Sequence, residues 1–370
     1  MGGGVFTYVV SLANRLVESY DVYLAYAVRP QTPEDYRDFF DSRVRLIEVR
    51  DLVRQISPRH DLRALLELVR IGGEVRPDVI HLHSSKAGVL GRLAYWRAGV
   101  PLFYTPHGYS FLMKQAGAPK RALYRLMELV MARVRCTTIA CSKGELDEAL
   151  SLSKRALLVN NGIDPEEIDA CLERALGEKN LEPRERDAYT VFTIGRICDQ
   201  KNPELFNRIA LSLPDLRFLW IGDGELRDAL TASNIEVTGW LGRQEVLALA
   251  SQADCFLLPS LWEGLPISLL EAMYLGKPCV VSDVIGNRDV IRDGENGFVC
   301  GTLEQFVRAI REAARAEVAA PLREAALRDI RDTYNVEAMA RSYESIYEQA
   351  LRGASECGGA SAKRAAGGLL

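Results

Sequence analysis

Short apolar runs alternate with helical stretches along almost the whole chain, and that alternation limits the fold more than any other feature. Residues 22–28, 44–49, 79–83, 102–105, 137–141 and 156–159 read as strands, being short, rich in β-branched and aromatic residues and bounded by turn chemistry. Residues 61–75, 86–97, 120–133 and 143–150 between them carry helical periodicity. Strand–helix alternation predicts a mostly parallel sheet with helices on both faces. A turn at Asn160-Asn161-Gly162-Ile163-Asp164-Pro165 and a charged stretch from Glu173 to Arg186 break the pattern. It then restarts, with strands at 190–194, 217–221, 235–238, 255–258, 278–282 and 297–300 and helices at 203–211, 224–231, 244–251 and 266–275. The expected fold class is therefore α/β, two doubly wound Rossmann-like domains in tandem. The first is 1–163 and the second 189–335, joined by a linker at 164–188. A helix at 336–352 is long enough to cross back to the first domain. The Gly-, Ala- and Ser-rich tail, 353–370, is expected to be disordered.

With 370 residues and 48% hydrophobic content, the chain can bury two cores. The net charge is −4, but residues 1–160 alone carry 23 Lys/Arg against 16 Asp/Glu. That basic first half suits an anionic surface or ligand and falls short of the clustered excess of a nucleic-acid binder. From Lys86 to Arg135 there are nine Lys/Arg and one Asp/Glu. The basic, amphipathic helix at 120–133, with Lys120, Arg121, Arg125 and Arg133, can lie on an anionic membrane surface or pack on the core with a solvated face. The eight Cys form no C-x-x-C and read as free thiols in a reducing cytosol. No apolar run reaches membrane-span length, and no signal peptide is expected. The expected location is cytoplasmic, with peripheral contact at the inner face of the plasma membrane.

Gly2, Gly3 and Gly4 run straight into a helical pattern that begins at Val5. A Gly-rich loop before a helix is the shape of a phosphate cradle. A buried strand normally precedes such a loop, so the sequence is expected to lack its first strand.

The chemistry concentrates in the second half. The stretch 257–271 reads as a strand end, a Gly264 turn and a helix opened by Pro266, with Glu263 and Glu271 bracketing the turn. Glu263 stands where helix amides point at an anion, and Glu271 lies about 7–8 Å further along the axis. Gly195-Arg196-Ile197-Cys198-Asp199-Gln200-Lys201-Asn202-Pro203 follows the first strand of the second domain. Arg196 and Lys201 beside a helix start form a diphosphate clamp, or else a solvated loop with two surface cations. The Gly222 turn and Gly239-Trp240-Leu241 could bring a nucleobase close to the backbone. His107 closes a strand end at a cleft-edge position, where a structural, hydrogen-bonded His also fits. There is no D-x-D pair and no Walker A loop, which points away from metal-dependent phosphoryl transfer.

These motifs resemble family 4 glycosyltransferases of the GT-B fold over nearly the whole chain. The resemblance is carried by Glu263-x7-Glu271, Gly195-Arg196…Lys201-Asn202, Asn161-Gly162-Ile163-Asp164 and Asp293-Gly294-x-Asn296-Gly297, in family order and spacing. His83-Ser84-Ser85-Lys86-Ala87-Gly88 and Thr105-Pro106-His107-Gly108-Tyr109-Ser110-Phe111 resemble the bacterial members that build capsular polysaccharide, exopolysaccharide or lipopolysaccharide. The resemblance implies two domains facing a cleft and transfer of a sugar, with retention, from a UDP- or GDP-sugar to a lipid-linked saccharide acceptor. It implies no cofactor and no metal. Glu263 and His107 would then be catalytic, and Arg196, Lys201 and the amides of Gly264, Leu265 and Ile267 would hold the donor diphosphate. Glu271 would bind the ribose, and Gly239, Trp240 and Leu241 would border the base. Gly2, Gly3 and Gly4 would meet phosphate or acceptor, and Lys86 the acceptor or cleft.

Rival readings are a nucleotide-sugar 2-epimerase-like isomerase on the same fold, a glycoside hydrolase using the two Glu residues, and a non-catalytic binding protein. A nicotinamide dehydrogenase would need G-x-G-x-x-G after a strand, which the sequence does not offer.

Overall fold

The computed structural model describes residues 3–29, 32–53, 55–113, 116–177, 188–357 and 367–369. The chain runs α1 (Gly3–Leu16), β1 (Tyr23–Tyr26), β2 (Arg45–Glu48), α2 (Pro58–Val75), β3 (Val79–His83), α3 (Ser85–Tyr95), β4 (Leu102–Thr105), α4 (Ala118–Met131), β5 (Thr137–Ala140), α5 (Lys143–Leu152) and β6 (Ala156–Leu158). It continues with α6 (Pro165–Gly177), β7 (Thr190–Ile194), α7 (Pro203–Ser212), β8 (Arg217–Ile221), β9 (Ile235–Val237), α8 (Arg243–Gln252), β10 (Cys255–Leu258), α9 (Ile267–Tyr274), β11 (Cys279–Ser282), α10 (Asn287–Val290) and β12 (Phe298–Cys300). Last come α11 (Leu303–Ala313), α12 (Ala316–Asp332), α13 (Val336–Cys357) and β13 (Gly367–Leu369). Two compact units result, residues 1–161 with 336–370, and residues 162–335. Much of the expected linker is α6, inside the second unit.

The first unit holds a seven-stranded sheet in the order β2-β1-β13-β3-β4-β5-β6, with every pairing parallel. β3 is buried along its whole length because its sequence, Val79-Ile80-His81-Leu82-His83, sits in a sheet covered on both faces. β13 pairs with β1 on one side and β3 on the other. The tail from 353 was expected to be disordered. Residues 353–357 instead continue α13 and 367–369 form β13, while 358–366 and 370 lie outside the described residues.

α13 is tied to this unit by polar contacts. The Tyr8 and Tyr343 hydroxyls share a hydrogen bond of 2.5 Å, and Arg15 of α1 pairs with Glu337. His81 bridges the Tyr347 hydroxyl through Nδ1 (2.5 Å) and Thr105 Oγ1 through Nε2 (2.8 Å). A neutral ring serves both contacts, donating once and accepting once.

The second unit carries a six-stranded parallel sheet, β12-β11-β10-β7-β8-β9. Its core is apolar, with Phe206, Phe218, Trp220, Leu257, Val280 and Ile310 fully or almost fully buried. The helix expected at 224–231 is reduced to a single 3-10 turn, Arg227–Ala229. Its backbone groups bond elsewhere: Leu226 N–H donates to Ile197 O (3.2 Å), and Thr231 and Ala232 N–H both donate to Asn207 Oδ1 (2.8 Å).

Burial pushes His81 and His83 well below the usual histidine range, with nearby His107 adding to the effect. A ring held neutral when folded but titrating near pH ~6.5 when unfolded contributes stability above that pH and loses it as pH falls. The urea midpoint of the chain should therefore fall between about pH 7.5 and 5.5, before most carboxylates titrate. A midpoint that stays flat over this interval would contradict the burial of these rings.

Candidate active site

The strand order of the second sheet reverses between β7 and β10. β8 and β9 lie on one side of that pair, β11 and β12 on the other. Loops leaving the carboxyl ends of two such strands diverge and leave a crevice, the usual ligand position in open parallel sheets. The Gly195–Asn202 loop leaves β7 and the Pro259–Pro266 loop leaves β10.

Hydrogen bonds stitch the two loops together. Leu261 N–H donates to Gln200 O (2.8 Å), and Asn202 Nδ2 donates to Pro259 O (3.2 Å). Asn202 adopts a left-handed conformation (φ 53°) and caps α7 by accepting from Leu205 N–H. Between the loops Lys201 Nζ donates to Glu263 Oε1 at 2.7 Å. Gln200 Nε2 donates to Glu263 Oε2 (3.1 Å) and to Trp262 O (3.0 Å). Glu263 is only 5% exposed, so both carboxylate oxygens meet donors where water is scarce.

Neighbouring loops close in at backbone distance. Gly222 has φ 138°, and a Cβ there would lie 2.3 Å from Gly195 O. Gly286 has φ 86°, and a Cβ there would lie 2.4 Å from Gly264 O. Only glycine fits at either position. α9 then begins at Ile267, with Pro266 as its N-cap instead of its first residue. A helix's first turn leaves N–H groups without intrahelical acceptors, next to Glu263 in the chain. Arg196, at the start of the β7 loop, is 3.8 Å from Glu225.

Glu271 lies in α9 and is 4% exposed. Arg243 Nη1 donates to its Oε1 at 2.7 Å, while Arg243 Nε and Nη2 grip Glu167 of α6, both at 2.7 Å. The proposed ribose carboxylate is thus fixed by a guanidinium anchored elsewhere. Gly239 (φ 79°) forms an isolated bridge with Gly222, and Trp240 beside it is exposed, offering a ring face at the edge of the same strand ends. Leu241 is half-buried.

In the first unit, His107 follows β4 with φ 55°. Its Nε2 lies 3.1 Å from His83 Nδ1. Gly3 and Gly4 form the first turn of α1, and Gly2 lies outside the described residues. Lys86 is committed to Asp61 of α2, at 2.6 Å, and to Gln55 O. Of the residues expected from sequence, the structure brings Lys201 into contact with Glu263 and sets Gly264 against the loop after β11. Sequence reasoning missed Gln200, Arg243 and Glu167 as partners of the two carboxylates. Gln200 stood within the motif, but Arg243 and Glu167 carried no local signal.

Two family descriptions match the chain: "Glycosyltransferase Family 4" over residues 2–167 and "Glycosyl transferases group 1" over residues 188–315. The chain is 31% identical over 298 residues to UDP-Gal:alpha-D-GlcNAc-diphosphoundecaprenol alpha-1,3-galactosyltransferase of Escherichia coli, covering 74% of this chain and 76% of that one. Among solved structures it resembles sucrose-phosphate synthase from Thermosynechococcus elongatus (TM-score 0.79, 19% identity, 95% and 94% of the two chains). It also resembles Anabaena HepE in complex with UDP-glucose (TM-score 0.73, 16% identity, 94% and 97%). The fold is GT-B, and the chain belongs to the family 4 glycosyltransferases.

Removing Arg243 leaves Glu271 buried without its partner. Arg243→Ala is expected to destabilise the chain by about 3 kcal/mol, the low end for a broken buried pair because Glu167 is partly exposed. Arg243→Lys should recover only part of that, since an ammonium cannot grip both carboxylates in a fork. Urea denaturation of the three proteins checks both statements.

Proposed function

We propose that this glycosyltransferase moves a sugar, with retention and without a metal, from a nucleotide diphosphate sugar to a lipid-linked saccharide acceptor in cell-surface polysaccharide synthesis. The observation that carries this reading is the Lys201–Glu263 pair at the reversal of the second sheet, beside the start of α9. A lysine and a glutamate side by side suit a donor that is anionic at one end and hydroxyl-rich at the other. The E. coli relative's name specifies UDP-Gal and a diphosphoundecaprenol acceptor, and HepE is described with UDP-glucose. A UDP-sugar is accordingly the donor proposed here, with a GDP-sugar as the second to test.

In this scheme Lys201 and Arg196 take up the charge that grows on the leaving diphosphate, with help from the amides of Gly264, Leu265 and Ile267. Groups fixed before reaction stabilise that charge more in the transition state than in the ground state. Lys201 has three donors and gives one to Glu263, so it can hold a phosphate without abandoning the carboxylate. Glu263 contacts sugar hydroxyls beside the anomeric carbon, Glu271 the ribose, and the turn of Gly239, Trp240 and Leu241 the base. His107 is the other catalytic residue proposed, and Gly3 and Gly4 are proposed to meet phosphate or acceptor. The acceptor hydroxyl attacks from the face the diphosphate leaves, and the diphosphate receives its proton.

The test is nucleotide diphosphate release from a panel of UDP-, GDP- and ADP-sugars in the presence of EDTA. One donor is expected to be turned over slowly without acceptor, and Glu263→Ala to abolish this while nucleotide affinity stays within a few-fold. Lys201→Ala should weaken nucleoside diphosphate binding, relative to nucleoside, by about 1.5–3 kcal/mol. Sugar rearrangement without nucleotide release would replace transfer with isomerisation.

The lipid-linked acceptor calls for a membrane surface, and α4 supplies one. Its single buried residue is Glu128, which meets Arg92 at 2.8 Å. Leu123, Leu126, Leu129 and Val130 are exposed, as are Lys120, Arg121 and Arg125 of the same helix and Arg133 just beyond it. Among the described residues no helix is long and apolar enough to cross a membrane. We propose peripheral attachment at the inner face through this helix. Co-sedimentation with phosphatidylglycerol vesicles should be strong at low salt and weak at high salt, and should be lost in Leu123→Glu/Leu126→Glu. Equal sedimentation of parent and variant would remove α4 from this role.

A further inference from the structure

We propose that His83 is a positioning residue that fixes the tautomer of His107, so that His107 carries its proton on Nδ1 and keeps Nε2 as an acceptor. The effect on turnover rests on the role proposed above for His107; the tautomer itself does not.

His83 Nδ1 and His107 Nε2 lie 3.1 Å apart, with ring centroids 5.3 Å apart and ring planes inclined by 26°. His83 is 5% exposed, and its other nitrogen, Nε2, is buried without a hydrogen-bond partner. His107 has little freedom to turn away. Its backbone is left-handed, the next amide, Gly108 N–H, donates to Glu145 Oε1 (2.6 Å), and Glu145 is itself held by Cys141 N–H (2.8 Å). The Tyr8 ring packs edge-on against His107 at 4.6 Å.

Burial keeps both rings neutral, so each carries one N–H. Only one of the two facing nitrogens can hold the proton of their hydrogen bond. If His107 donated from Nε2, His83 would accept at Nδ1 and would carry its own proton on the buried Nε2. That N–H would have no acceptor. If His83 donates from Nδ1, its Nε2 is a bare lone pair. An orphaned buried N–H is the rarer and more costly arrangement. The second arrangement therefore holds, and the partner of one ring nitrogen decides the state of the other. His107 then offers an N–H donor from Nδ1 to a hydroxyl oxygen.

The sequence contains four histidines, so the full chain labelled with 15N-histidine gives a spectrum assignable by single substitutions. At pH 7.5 the His107 ring nitrogens should report protonated Nδ1 and unprotonated Nε2. His83→Asn places an amide N–H where Nδ1 stood and should keep that tautomer. His83→Leu should shift His107 toward the Nε2–H form that free imidazole favours in water. Nε2–H on His107 in the parent chain, or a tautomer identical in parent and His83→Leu, would overturn the proposal. If His83→Leu does not fold, the parent and His83→Asn spectra still decide it, since a changed tautomer in His83→Asn also overturns it. Transfer rate answers the separate question. A loss of about tenfold in His83→Leu, recovered in His83→Asn, is the size of one neutral hydrogen bond. A shifted tautomer with a parental rate supports the positioning and refutes the part given to His107 in catalysis.

Discussion

The ion pair between Lys201 and Glu263 is the constraint around which the second unit is arranged. A carboxylate this buried is costly unless donors meet it, and breaking such a pair costs more than forming it gains. Its value is therefore positional. It holds an acid and a base together where the sheet reverses, at loops that no strand pairing would otherwise restrain. Gln200 completes the carboxylate, and the backbone contacts of Gly222 with Gly195 and of Gly286 with Gly264 press the adjoining loops into place. The apolar core beneath supplies rigidity, and the polar cluster lies at its rim.

The first unit works differently. Its centre is polar as well as apolar: His81, Thr105 and Tyr347 form one buried network, and Tyr8 and Tyr343 another contact beside it. The two bonds made by Tyr343 and Tyr347 join residues 335 and 266 positions apart and tie α13 to α1 and β3, while His81 with Thr105 links β3 to β4. Fully paired networks of this kind specify one arrangement, because any slip leaves a buried polar group unsatisfied. The same feature makes this unit sensitive to acid, where the second unit's described core has no buried histidine.

The fold was legible because strand and helix periods differ and because the chain alternates between them without ambiguity. Strands 79–83, 102–105, 190–194, 217–221 and 255–258 match the observed bounds of β3, β4, β7, β8 and β10. The exception at 224–231 had helical composition, but Gly224 is wedged beneath Ile197, where a Cβ would lie 2.2 Å from its carbonyl oxygen. That is tertiary information, and no local pattern encodes it. The candidate site was legible to the same depth. Motif spacing put Arg196 and Lys201 in the loop after β7, Glu263 in the loop after β10 and Glu271 in the helix that follows, and the structure has them there. The spacing could not reveal that Glu271 meets Arg243, or that Arg243 is held by Glu167, because these partners come together only once α6 and α8 pack. Lys86 shows the opposite case: a suggestive motif position whose ammonium is engaged by Asp61.

The two carboxylates of the 257–271 stretch differ in how they are held, and the difference follows from the cation each one meets. Arg243 is a planar fork that grips Glu167 with two nitrogens and Glu271 with a third. Moving it would uncover two acids together, so Glu271 is set in position before any ligand arrives. Lys201 is a compact charge on a flexible stem, with two donors left after Glu263 has taken one. It can turn toward a phosphate while Gln200 keeps Glu263 in place. An arginine at position 201 would carry the same charge but would lock Glu263 as Arg243 locks Glu271. The pairing of a fixed acid with a shared one fits a ligand whose distant end must be placed once and whose reacting end must gain charge during the reaction.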